Sequence, residues 1–173
     1  MDTATTYKTN NTSTSKLNKR KLIFWILSIL CMMTIFYFSS KNADDSTEES
    51  HKVGKAVGRV IEPDFEKWTY EEQEAYAARI DFPVRKAAHF LEYAILGTLL
   101  SMAWNDTRKK KASNILVPFF IGSLYSVTDE LHQLLVSGRA GQIRDVLIDS
   151  SGVIFGVIIA SFFLRLARFL RDR

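Results

Sequence analysis

The stretch "NILVPFFIGSLYSVTDELHQLLV", residues 114–136, decides how this chain folds. From Ala112 to Thr128 there is no charge, and then Asp129, Glu130 and His132 arrive before the apolar pair Leu134-Leu135. The uncharged run is at the lower limit of the ~17–25 residues needed to cross hydrocarbon. A comfortable span is reached only when both acids and the histidine lie inside it. An ionised carboxylate facing lipid near the bilayer centre costs ~2.5–3.5 kcal/mol. The segment therefore predicts a membrane helix whose polar residues face protein or water.

Three more apolar segments flank it. "LIFWILSILCMMTIFYF" (22–38) follows the basic "KLNKRK" (16–21). "FSSKNADD" is a poor cleavage site, so the pair reads as an uncleaved first membrane helix and not as a signal peptide. "VRKAAHFLEYAILGTLLSMAW" (84–104) and "VLIDSSGVIFGVIIASFFL" (146–164) span only if their charges are counted inside them. The expected fold is all-α: a four-transmembrane-helix bundle over residues 22–165, with helices at about 22–40, 84–104, 114–136 and 146–164. The Thr-, Ser- and Asn-rich lead within 1–21 predicts a disordered cytoplasmic tail, and residues 166–173 a basic cytoplasmic end.

Residues 41–83 form the expected extracytoplasmic loop; the wider stretch 39–83 has 11 acids against 6 lysines and arginines. Val53, Ala56, Val57, Val60 and Ile61 share one face of a short amphipathic helix. Thr69 and Glu72 fit a capping box that opens a second one, ending near Ile80. Trp68, Tyr70, Tyr76 and Phe82 suit the headgroup level of a bilayer.

Charge placement orients the bundle. With the N-terminus cytoplasmic, the lead, residues 108–111 and the C-terminal end hold thirteen of the 23 lysines and arginines inside, in accord with the positive-inside rule. Both termini are then cytoplasmic, and the expected location is the bacterial cell membrane, crossed several times. The net charge of +4 matters less than this distribution, and the mean hydropathy of −0.02 averages polar loops with very apolar spans. The single cysteine, Cys31, excludes a disulfide framework and a cysteine metal centre. Basic residues flank the apolar runs instead of interleaving with aromatics, so no nucleic-acid partner is expected.

In this topology three segments bring polar residues to one shallow outer layer. At ~1.5 Å per residue, His89 lies about 8 Å deep, Glu92 about 12 Å, Asp129 about 11 Å, His132 about 6 Å and Asp149 about 5 Å. Arg85, His89 and Glu92 share a helical face, as do Asp129, His132 and Gln133. Asp145, Asp149, Gly152 and Gly156 run down one face of the last helix, where the two glycines let a neighbouring backbone approach closely. Arg85, Lys86, Arg139 and Arg144 are available as cations for Asp129, Glu130, Asp145 and Asp149. A scaffold of buried ion pairs that sets helix register is the plain alternative to a site.

"RKAAHFLEYAILG" (85–97) followed by "DELHQLLVSGRAGQIRDVLIDSSGVIFG" (129–156) resembles the VanZ-like family of bacterial membrane proteins. Lys86, His89, Phe90, Tyr93 and Leu96 match the family's first block. Asp129, Glu130, Gln133, Arg139, Asp145, Gly152 and Gly156 match its second, and "FSS" (38–40) is similar too. Asp149 departs from the pattern, which has Asn there. The resemblance implies low-level resistance to teicoplanin, a lipoglycopeptide that binds cell-wall precursors outside the membrane.

Two main chemistries follow. In the first, the protein is not an enzyme and needs no cofactor. Arg85, Lys86 and Arg139 contact an anionic or lipid-linked headgroup, with His89, Asp129, Glu130, Gln133, Asp145 and Asp149 as the other candidate binding residues. Its partners are membrane lipids or a lipid-linked cell-wall precursor. In the second, His89, Glu92, Asp129 and His132 hold a divalent metal, and the protein is an intramembrane hydrolase or transferase acting on such precursors. A proton relay for transport is a third use of the same carboxylates, but four helices are few for a transporter.

Overall fold

The computed structural model describes residues 3–105 and 111–171, with side chains from Lys19 onward. The described residues form five α-helices and no strand: α1 (Thr3–Ser39), α2 (Ala43–Ile61), α3 (Tyr70–Trp104), α4 (Ser113–Gln133) and α5 (Ile143–Arg171). A 3₁₀ turn, Phe65–Lys67, joins α2 to α3. Two of these helices, α1 over Lys19–Ser39 and α5, are long and apolar enough to cross a membrane.

The helix boundaries differ from the pattern-based ones in instructive ways. The backbone of α1 is helical from Thr3, continuous with the apolar helix behind it. Extending a helix that already exists costs far less than nucleating one. The capping box at Thr69 is present, with Thr69 Oγ1 accepting from the Glu72 backbone and the Glu72 carboxylate accepting from the Thr69 N–H. The helix it opens does not stop near Ile80, however. It runs through Pro83 and joins the expected 84–104 segment as a single element. Proline withholds one hydrogen bond and crowds the preceding turn. Packing on both sides, α2 against Ala77 and α5 against Ala94, offsets that loss. Helix α4 ends at Gln133, where tight turns at Leu135 and Val136 take over. Helix α5 is longer than expected at both ends.

Helix α2 packs through its small residues and not through its valines. Ser50, Gly54 and Gly58 are its buried residues, whereas Val53, Val60 and Ile61 are 52 %, 85 % and 65 % exposed. A Cβ on Gly54 would lie 3.2 Å from Ala77 Cα, and one on Gly58 would lie 2.4 Å from the Phe65 ring. Small residues thus let α2 lie close on α3, and the valine face looks outward. Tyr76 is buried and Trp68 partly so; their rings pack on Phe65 at centroid distances of 5.5 and 5.1 Å and on each other at 5.9 Å. Tyr70 and Phe82 stay exposed.

The main seam is between α3 and α5. A Cβ on Gly97 would meet Val153 O at 2.3 Å, one on Gly152 would meet Phe90 O at 2.3 Å, and one on Gly156 would meet Ala94 O at 1.9 Å. Backbones this close leave no room for side chains between them, and Thr98 Oγ1 reaches Gly156 O at 3.2 Å. Tyr93, Leu96, Leu100, Val153 and Val157 fill the core beside the seam, with Ile35 of α1. Outward, α1, α3, α4 and α5 present exposed apolar side chains, among them Met33, Leu91, Phe120, Leu124 and Phe162.

Candidate functional site

The polar residues of α3, α4 and α5 meet where these helices approach the end of α1. Ser39, the last residue of α1, donates to Asp129 Oδ2 at 2.8 Å, and Gln133 Nε2 donates to the same oxygen at 3.2 Å. Gln133 Oε1 in turn accepts from Arg139 at 3.5 Å, while Arg139 Nη2 donates to Phe38 O at 3.2 Å. A buried acid is thereby connected through one amide to a guanidinium at the surface. Arg139 is held there by its loop. Gly138 adopts φ +73°, a turn conformation that favours glycine, and Ala43 N donates to Ser137 O.

Glu130 serves the start of α5. Its Oε2 accepts from Gln142 N at 2.8 Å, placing a carboxylate beside the N-terminus of that helix, where the helix dipole favours negative charge. Asp145 in the first turn pairs with Lys86 of α3 at 2.6 Å. Deeper, Asp149 is fully buried, accepts from Ser126 at 3.1 Å, and lies 3.7 Å from His89 Nδ1.

Among the described residues, the ion-pair scaffold that charge counting suggests is realised only at Lys86–Asp145. Arg85 pairs with Asp81 on its own helix, and Arg144 lies over the Phe82 ring at 4.5 Å. Asp129 and Asp149 are held by hydroxyls and an amide instead of cations. Arg139 reaches Asp129 only through the Gln133 amide.

Of the four residues considered as metal ligands, the fold joins only His89 and Asp129, and it adds Asp149. One ligand atom from each of these three lies within 4.8 Å of the other two. His132 points elsewhere, stacked on Phe36 at 4.3 Å with Nε2 3.1 Å from Ser40 Oγ. Both it and Asp129 reach the end of α1, but His132 does so at Ser40 and Phe36, away from His89. Glu92 lines a cavity beside the cluster.

That cavity, about 650 Å³, opens between α2, α3 and the α4–α5 loop. Its lining is mixed: Arg85, Lys86 and Arg139 with the acids Glu49, Glu92 and Asp145, and the apolar Val53 and Val57 of α2 and Leu91 of α3. Hence the outward valines of α2 are partly accounted for, since two of them wall this space. Composition and spacing passed over Ser126, although it lies three residues before Asp129 on the same helical face. They also passed over the Gln142 N–H, a backbone group that no side-chain pattern reveals.

The sequence matches the VanZ/LLP1 family over residues 24–164. That stretch contains every residue of the cavity and the buried cluster. No curated protein and no solved structure matches the chain.

Proposed function

From the premise that this chain belongs to the VanZ/LLP1 family, we propose that it is a multi-pass protein of the bacterial cell membrane whose cavity takes the anionic headgroup of a lipid or lipid-linked cell-wall precursor. It crosses the bilayer four times, through α1, the second part of α3, α4 and α5, with both termini cytoplasmic. The exposed apolar side chains on all four helices support the crossing, and the basic clusters at the lead, 108–111 and the C-terminal end support the orientation. The cavity then opens at the outer leaflet.

One observation carries the reading: the cavity lining combines basic and apolar residues. Arg85, Lys86 and Arg139 offer cationic donors suited to phosphate, and Val53, Val57 and Leu91 offer apolar contacts suited to the attached chain. A soluble anion has no use for the apolar residues, and an uncharged lipid has no use for the basic ones. Occupying precursor headgroups at the outer face gives low-level teicoplanin resistance, because that drug acts on the same precursors.

Growth inhibition in a susceptible Gram-positive host tests this. At matched membrane levels, wild-type protein is expected to raise the inhibitory concentration of teicoplanin but not of vancomycin, and Arg139→Ala to lose most of that protection. Equal protection by wild type and Arg139→Ala would refute the role given to the basic residues.

A further inference from the structure

We infer that His89, Asp129 and Asp149 form a binding site for a divalent cation beneath the cavity. Three elements contribute one residue each: α3 supplies the imidazole, α4 and α5 the carboxylates. Their ligand atoms already lie within 4.8 Å of one another, so modest rotamer shifts bring them to the ~2.0–2.2 Å ligand distances of zinc.

The hydrogen bonding leaves one face of this cluster uncommitted. Asp129 uses Oδ2 for Ser39 and Gln133, and Asp149 uses Oδ2 for Ser126. The Oδ1 atom of each acid is buried without a hydrogen-bond partner among the described residues, as are His89 Nδ1 and the Tyr93 hydroxyl. The two acids are 2 % and 0 % exposed, and Tyr93 is 0 % exposed. No lysine or arginine among the described residues lies within salt-bridge distance of either acid. Two buried carboxylates with free oxygens, beside an imidazole, have no lysine or arginine among the described residues in direct contact, Arg139 reaching Asp129 only through Gln133. A divalent ion fits both the charge and the donor types.

One nitrogen and two carboxylate oxygens suit Zn²⁺ or Mn²⁺, whereas an all-oxygen set would favour Mg²⁺ or Ca²⁺. The bonds from Ser39, Gln133 and Ser126 orient the carboxylates as supporting groups do around metal sites. His89 also lines the cavity, which gives an ion a route in from the outer side. The carboxylate of Asp149 completes the set. The site is independent of headgroup binding: either can fail without the other.

Full-length protein in detergent, stripped with a chelator, is dialysed against Zn²⁺ or Mn²⁺ and its metal content measured. One ion per chain is expected for wild type, with affinity falling by at least about tenfold in Asp149→Asn and in His89→Ala. His132→Ala is expected to bind like wild type. Elution profile and helical circular dichroism identify any variant that fails to fold. For wild type alone, Co²⁺ is expected to give ligand-field bands that reflect mixed nitrogen and oxygen coordination. Absence of a stoichiometric ion and of those bands in wild type overturns the site, as does unchanged affinity in folded Asp149→Asn and His89→Ala.

Discussion

Gly156→Val is expected to cost the protein at least about 3 kcal/mol, beyond the usual range for overpacking a core. A Cβ at this position would lie 1.9 Å from the carbonyl oxygen of Ala94. The obstacle is backbone, so no side chain can rotate away, and the helices must separate. Gly152, one turn earlier, and Gly97 across the seam have equivalent contacts at 2.3 Å, so separation at one point opens the others. The same seam holds His89 near Asp149, and widening it dismantles the polar cluster as well. At this chain length, 1 kcal/mol corresponds to about 2–4 °C, so the melting temperature in detergent should fall by ~6 °C or more, with less protein accumulating in membranes. Gly156→Ala should lie between Gly156→Val and wild type. Melting of Gly156→Val within ~2 °C of wild type would contradict the close packing of α3 on α5.

Asp129→Ala is the second large effect. Ser39 and Gln133 are buried, and both donate to Asp129 Oδ2. Removing the acceptor leaves two buried donors unpaired, at about 1–3 kcal/mol each. Beyond stability, the end of α1 loses its tether to α4. Tyr125 still bonds Met32 O at 2.6 Å, two turns further back, so α1 should stay attached while its last turns loosen. Arg139, which bonds both Gln133 and Phe38 O, then loses its position at the cavity. Hydrogen exchange should therefore rise near residues 35–41 while the middle of α3 remains protected. Asp129→Asn keeps an acceptor oxygen and should keep α1 protected. Equal exchange in Asp129→Ala and wild type would mean that the acid does not hold α1.

Much of this arrangement can be read from residue order, and the part that cannot has a physical reason. The polar residues of three helices converge because their depths agree and each set keeps helical spacing, both properties of local geometry. Gly152 and Gly156 advertise a close approach through their spacing, although only the fold identifies α3 as the partner. Tertiary choices were less legible. The valines of α2 share one face by spacing alone, but which face packs on α3 was not legible, and it is the small residues Ser50, Gly54 and Gly58 that do. Pro83 reads locally as a stop, yet packing outside its own turn carries α3 through it. His132 is expected from spacing beside His89 and Asp129, where the fold instead brings Asp149, since helical phase decides direction only once the helix is docked.

The most direct measurement is lipid binding by the full-length protein in detergent, using a fluorescent polyprenyl phosphate competed with phosphatidylcholine or with inorganic phosphate. Wild type should bind the polyprenyl phosphate in preference to both competitors. Loss of a charged hydrogen-bond partner is worth about 1.5–3 kcal/mol, so Arg139→Ala and Lys86→Ala should each weaken binding by at least about tenfold, while Arg139→Lys retains part of it. Binding that is equally tight in wild type and both alanine variants, or competed equally by phosphatidylcholine, would mean that the cavity is not a site for an anionic headgroup.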